Sequence, residues 1–160
     1  KVLSTYDKKK SAYVAVTVNP SDEFIKKNLM ETFDYIQLHG SETKERVNEI
    51  KNMGFKVIKA IKVKEEQDIQ KFREFENADI ILFDTPGMEK SLEFPKHLIT
   101  KIPIGTKYAL AGSISENNVE NIGKLGVNFF DLSSSLENQL GYKDHLKIKS
   151  FIKKMNEIKN

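Results

Sequence analysis

The sequence predicts an α/β fold built from β/α units on a parallel sheet. Short β-branched runs alternate with longer helical patterns, and the alternation recurs six times along the chain. Runs such as Ile80-Ile81-Leu82-Phe83 carry no polar alternation, as expected of strands covered on both faces.

Strands are expected at 13–18, 35–38, 56–61, 79–83, 107–111 and 127–132. The first ends at Asn19-Pro20. Ser21 then has the chemistry of an N-cap, with Asp22 and Glu23 at the positive end of a helix running to about Thr32 and turning Phe24, Ile25 and Leu29 inward. A second helix over 43–53 buries Val47 and Ile50 and stops at Gly54, a natural left-handed cap. A third over 65–75 carries Ile69 and Phe72. The segment 84–93 is predicted as a loop, followed by a short helix at 95–99 and a longer one at 116–124. The last helix, 144–158, shows an i, i+3, i+4, i+7 stripe of Ile148, Phe151, Ile152 and Met155. No linker or low-complexity stretch divides the 160 residues, which points to one domain.

Composition narrows the function. With 39% apolar and 31% charged residues the chain has the make-up of a soluble globular protein, and no apolar run approaches the ~18 residues of a membrane span. No membrane partner is expected. There is no cysteine, which excludes disulfides, thiolate metal sites and cysteine chemistry from these residues. His39, His97 and His145 lie far apart without metal-ligand spacing, so no metal is expected. The net charge is +3, and only Arg46 and Arg73 among 26 basic residues are arginine. Scattered lysine without arginine or aromatic clustering reads as a solvated surface and argues against nucleic acid.

Both an open doubly wound sheet and a closed eightfold barrel use this pattern, and both gather function at the carboxyl ends of the strands. There the sequence places Gln37-Leu38-His39-Gly40, Asp84-Thr85-Pro86-Gly87, Ala111-Gly112-Ser113 and Asp131-Leu132-Ser133-Ser134-Ser135. Gly112 permits close backbone approach, and Ser113 offers an amide and a hydroxyl. Ser133, Ser134 and Ser135 place donors at the start of a short helix expected over 134–138. Such turns suit a phosphate dianion, and a phosphate site after strands seven and eight is a recurring barrel device. These strands would be the seventh and eighth if two units precede them. The plainer reading makes Gly112 a turn glycine and the serines surface linkers. Asp84, ending an apolar strand, has the placement of a general acid, since partial burial favours the protonated form of a carboxyl group; an Asx turn would equally put an aspartate there. His39 polarises a substrate or holds its loop. Asp131 binds a sugar hydroxyl or an amine, or caps the turn after it.

Taken together these strings resemble phosphoribosylanthranilate isomerase of tryptophan biosynthesis. The resemblance runs through Val14-Ala15-Val16-Thr17-Val18-Asn19-Pro20, Tyr35-Ile36-Gln37-Leu38-His39-Gly40-Ser41-Glu42, Val57-Ile58-Lys59-Ala60 and Ile81-Leu82-Phe83-Asp84-Thr85. It continues through Leu110-Ala111-Gly112-Ser113-Ile114-Ser115-Glu116-Asn117-Asn118-Val119, Asp131-Leu132-Ser133-Ser134 and Gly141-Tyr142-Lys143-Asp144. The seven strings are in register over essentially the whole chain.

The resemblance implies a (β/α)8 TIM barrel, here an incomplete barrel of about six parallel strands, and an Amadori rearrangement of N-(5-phosphoribosyl)anthranilate. It implies that Asp84 is the acid protonating the ribose ring oxygen and that His39 and Asp131 contact the substrate. Gly112, Ser113, Ser134 and Ser135 would hold the phosphate. It implies no cofactor, a small phosphosugar substrate, a monomer or homodimer, and a cytoplasmic location. The family's general base is a cysteine in a Lys-x-Cys-Gly motif on its first strand, and an arginine after the second meets the anthranilate carboxylate. Neither has a counterpart here. Ser113 and Ser135 also stand where the family usually has glycine. A six-strand piece of a closed barrel leaves two edges, so the natural protein is expected to carry about 40 to 50 more N-terminal residues, and this chain alone to be inactive. Another phosphosugar barrel enzyme, or a non-catalytic α/β domain binding a phosphorylated ligand, remain the alternatives.

Overall fold

The structure is a computed structural model and describes residues 11–85, 94–103, 106–127, 129–139 and 141–158. Six strands, β1 (Val14–Thr17), β2 (Tyr35–Leu38), β3 (Lys56–Lys62), β4 (Ile80–Asp84), β5 (Tyr108–Leu110) and β6 (Phe129–Phe130), form one sheet in chain order. By contact the chain falls into two compact units, Lys1–Ile61 with Lys71–Ile81 and Lys62–Gln70 with Leu82–Asn160.

In the first unit β1, β2 and β3 pair in parallel, with Ala15, Ile36 and Val57 in register on one face. Helices α1 (Asp22–Asn28) and α2 (Lys44–Asn52) cover that face. Ile25, Leu29, Val47 and Ile50 join the three strand residues in one core. Both helices begin where their caps dictate: Ser21 Oγ accepts from Phe24 N and Thr43 Oγ1 from Arg46 N. Phe24, expected inward, is 47% exposed. On two turns of helix the Ile25 and Leu29 pair, spaced i, i+4, sets the buried stripe, and Phe24 lies about 100° round from it. Arg46 ties α2 back to the turn ahead of α1, pairing with Asp22 at 2.6 Å and donating to Pro20 O at 2.9 Å. The opposite face of β1 stays exposed at Val14 and Val16.

A buried ion pair closes the carboxyl ends of these strands. Lys59 and Glu42 side chains, 4% and 1% exposed, meet at 2.8 Å. Glu42 also accepts from Asn19 N at 2.7 Å and Gly40 N at 3.0 Å, while Lys59 donates to Gly40 O at 2.8 Å. Gly40 is required by space: a Cβ there would lie 2.7 Å from Asn19 Oδ1 and 2.9 Å from Glu42 Oε1. Burial pushes the Glu42 carboxyl up, but the Lys59 hydrogen bond and the backbone N–H groups of Asn19 and Glu42 outweigh it and hold the group below its ordinary 4.5.

The third helix of the sequence is two pieces, α3 (Glu66–Gln70) and a 3-10 turn (Lys71–Phe75). Three residues per turn brings Phe72 and Phe75 to one side; Phe72 is buried and Phe75 packs on the first unit's core.

In the second unit, Phe83 and Tyr108 meet edge to face at 5.8 Å, and Leu82, Leu110, Ile114, Val119 and Ile122 are buried. A short α4 (Lys96–Ile99) stands where expected; the greater part of the predicted loop, 86–93, lies outside the described residues. Among the described residues strand β6 pairs Phe129 and Phe130 with Ala109 and Leu110 of β5. Helix α5 is Val119–Gly123, shorter than 116–124, because 115–118 is a turn with Asn118 N and Val119 N both donating to Ser115 O. The helix expected over 134–138 is a 3-10 turn, Ser134–Leu136, leading into an antiparallel hairpin of β7 (Glu137–Gln139) and β8 (Tyr142–Lys143). Glu137 holds that hairpin by accepting from Lys143 Nζ at 2.6 Å and Gly141 N at 3.0 Å. The last helix, α6 (His145–Ile158), starts where Asp144 Oδ1 accepts from Leu146 N and Lys147 N. Phe151 is its buried residue, whereas Ile152 is 55% exposed: Ile148, Phe151 and Met155 share the inward side and Ile152 lies on its flank. Among the described residues no helix is long and apolar enough to cross a membrane.

Replacing Glu42 by Gln leaves the buried Lys59 ammonium without its countercharge, and is expected to lower unfolding free energy by about 3 kcal/mol in urea titrations at pH 7. Because the folded-state value is depressed, the wild-type contribution is present above the ordinary 4.5 and lost as pH falls through the folded-state value. The acid-side loss of stability should therefore be shallower in Glu42→Gln; identical slopes below about pH 4.5 would contradict the assignment. Gly40→Ala forces the same turn apart and is expected to cost about 2 kcal/mol in that titration.

Candidate active site

Asp84 is the last residue of β4 and is half-buried behind Leu82 and Phe83. Its carbonyl accepts from Val63 N at 2.8 Å, which fixes the backbone from which the carboxyl group projects. On the next strand Ala111 N donates to Phe83 O at 2.9 Å, and beyond it Asp131 N donates to Leu110 O at 2.9 Å. Two ladder bonds thus bring Asp84, Ala111-Gly112 and Asp131 to neighbouring strand ends. Asp131 is exposed there.

Gly112 is where the two turns come closest. A Cβ on it would lie 2.8 Å from Thr85 Oγ1 and 2.9 Å from Thr85 Cγ2, and its φ is +103°. Both facts demand glycine. Ser113 follows with φ +46°, a left-handed conformation unusual for a residue with a side chain. Asn118 spans the turn: its Oδ1 accepts from Ser115 N and its Nδ2 donates to Ser113 O, each at 2.9 Å. Asn118 is 8% exposed.

After β6, Ser133 O accepts from Lys143 Nζ at 2.9 Å and Ser134 is exposed. Among the described residues Ser135 Oγ is buried with no hydrogen-bond partner. Ser135 and Leu136 border a cavity of about 200 Å³ whose other walls are the 115–117 turn and Lys147 and Phe151 of α6. The structure therefore sets the Ser135 turn beside the turn that follows Gly112 and Ser113.

His39 belongs to the first unit. It follows β2, its backbone N–H donates to Thr17 O at 2.9 Å, and its Nδ1 lies 3.2 Å from Gln37 Nε2. It is half-buried, one residue before the Gly40 turn that Glu42 and Lys59 hold. Among the described residues no group of three or more His, Asp or Glu side chains is placed to hold a metal ion.

Sequence reading passed over Thr85, Asn118, Glu42 and Lys59 as contributors. The available signal was a polar side chain a few residues from a strand-end glycine: Glu42 stands two residues after Gly40, and Asn118 six after Gly112.

Residues 1–154 match the family described as PRAI, N-(5'phosphoribosyl)anthranilate (PRA) isomerase. The N-(5'-phosphoribosyl)anthranilate isomerase of Petrotoga mobilis is 41% identical over 155 residues, covering 91% of this chain and 72% of the relative. The crystal structure of phosphoribosyl anthranilate isomerase from Thermotoga maritima superposes with a TM-score of 0.82 at 30% identity, over 91% of this chain and 73% of that one. A phosphoribosyl anthranilate isomerase in complex with reduced 1-(o-carboxyphenylamino)-1-deoxyribulose 5-phosphate superposes with a TM-score of 0.74 at 29% identity, over 91% and 72%. The fold is accordingly that of six parallel strands of a (β/α)8 barrel. By sequence and by fold, over nearly all of its length, the chain belongs to the N-(5'-phosphoribosyl)anthranilate isomerase family.

Proposed function

We propose that this chain serves the isomerisation of N-(5'-phosphoribosyl)anthranilate to the 1-(2-carboxyphenylamino)-1-deoxyribulose 5-phosphate product, an aldose–ketose isomerisation. The reaction belongs to tryptophan biosynthesis, and the setting is a cytoplasmic monomer or homodimer acting on a small phosphosugar. The chain contributes to a single barrel domain.

The observation that carries the reading is the adjacency at the ends of β4, β5 and β6, where an acid, a glycine turn and a second carboxylate stand on successive strands. In the proposed mechanism Asp84 gives its proton to the ribose ring oxygen as the C1'–O bond breaks, and the anthranilate nitrogen lone pair forms the C=N bond of the open-chain protonated imine. Loss of the C2' proton to a general base then gives the neutral enol-amine, whose 2'-hydroxyl loses a proton as C1' gains one, giving the ketose. Asp131 binds near the amine or a sugar hydroxyl, and His39 contacts the substrate. The phosphate is received by Gly112, Ser113, Ser134 and Ser135, with the unpartnered Ser135 hydroxyl as one donor. No cofactor enters, because proton transfers between positioned acids and bases suffice for this chemistry.

The chain holds no cysteine, so removal of the C2' proton by a thiolate has no agent among its residues. Ring opening needs only the acid. The chain should therefore accelerate formation of an open-chain imine, trapped with borohydride, without completing the isomerisation. Asp84→Asn should slow that trapping about 100-fold while changing affinity for the reduced product analogue less than about threefold. Equal trapping rates for the two proteins would remove Asp84 from the acid's role, and full turnover by the wild-type chain would remove the need for a cysteine.

Gly112→Ala places a methyl group against Thr85 and strains a φ of +103°. It is expected to weaken binding of the same analogue about tenfold or more in a fluorescence titration. Unchanged affinity would move the phosphate away from this turn.

A further inference from the structure

We propose that Asn118 is a positioning residue that holds the Gly112–Ser113 turn in its phosphate-receiving form. The inference rests on the reading of that turn as part of the phosphate site. Its own basis is separate: a buried carboxamide with both ends committed to one short stretch of backbone. Oδ1 takes the Ser115 N–H and Nδ2 gives to the Ser113 carbonyl, both at 2.9 Å. A carboxamide supplies a donor and an acceptor together, whereas a carboxylate accepts alone and an apolar side chain does neither.

The turn needs such a clamp. Gly112 and Ser113 are consecutive residues with positive φ, +103° and +46°. Glycine adopts that region without penalty, whereas for serine it opposes the preference of an L-residue. Left to itself, Ser113 returns to negative φ, and its amide turns with it. The clamp is in turn anchored, because Asn118 leads directly into α5, whose Val119 and Ile122 are 0% and 4% exposed. Ser115 O completes the brace by accepting from both Asn118 N and Val119 N.

The test is titration of the chain with ribose 5-phosphate, followed by the amide resonances of Gly112 and Ser113, with ribose as the control lacking phosphate. Asn118→Ala should weaken ribose 5-phosphate binding about tenfold, the scale expected from losing two neutral hydrogen bonds. Asn118→Asp, nearly isosteric, keeps the contact to Ser115 N but cannot donate to Ser113 O and adds negative charge. It should bind at least as weakly, and it carries the test should the alanine variant fail to fold. In a Ser113→Gly background, whatever affinity that change itself leaves, Asn118→Ala should lower affinity by less than about threefold, because glycine holds positive φ unaided. A folded Asn118 variant with wild-type affinity, or an Asn118→Ala loss as large in the Ser113→Gly background as in the wild type, overturns the positioning role. Absence of any phosphate-dependent shift in the wild-type chain instead overturns the phosphate reading of the turn, and this inference falls with it.

Discussion

A parallel strand ends with backbone amides and carbonyls that its neighbours no longer pair, and an unpaired group out of reach of water costs about as much as a lost hydrogen bond. In this chain the turns after the strands meet that constraint with buried polar side chains. After β1 and β2, Glu42 takes the N–H groups of Asn19 and Gly40 while Lys59 takes the carbonyl of Gly40. After β5, Asn118 takes one N–H and one carbonyl of the 113–115 turn. The same device appears once as an ion pair and once as a neutral amide.

The choice between them follows from what each turn must satisfy. The first network draws on loops from two strands, and its side chains are almost wholly buried, with Glu42 accepting from Asn19 N and Gly40 N and Lys59 donating to Gly40 O. Burial alone would penalise both charges. The Lys59 hydrogen bond and the backbone N–H groups of Asn19 and Glu42 reverse that balance at Glu42, whose carboxyl is held below its ordinary value despite its burial. The Asn118 turn is smaller, and a neutral side chain meets its needs. A carboxylate close to a phosphate-receiving turn would repel the ligand, so neutrality serves the proposed role as well as the packing.

Much of the fold was legible because its signals are local. β2 has the predicted ends, and Ser21 and Thr43 cap the first two helices as their side-chain chemistry requires. Two of the misreadings share one cause. Phe24 and Ile152 are apolar and close to the buried stripe, but a helix covers a neighbour over a limited arc, and on short helices one residue's rotation decides which side chain is left out. The hairpin after Ser134–Leu136 was hidden because a serine-rich turn followed by Glu137 and Asn138 satisfies helix and turn chemistry equally. The positions of Asp84 and Gly112 were legible because a residue ending a parallel strand faces the carboxyl side whatever lies around it. Glu42 and Asn118 were not, since a polar residue in a loop has the same sequence signature whether solvent or backbone receives its hydrogen bonds.

Asp84 is fixed by strand geometry, whereas the proposed phosphate turns are fixed by side chains added to it. The backbone of Asp84 is set by β4 and its bond to Val63, and would keep that place in many barrels with different loops. The conformation of Gly112 and Ser113 depends on Thr85 leaving no room for a Cβ and on Asn118 bracing the far side. The proposed acid and the proposed phosphate turn therefore draw on separable parts of the structure, and altering the brace should change binding while leaving Asp84 where it is. Serine at 113 is consistent with this division: a braced turn tolerates a residue whose own backbone preference opposes it, whereas an unbraced one would require glycine.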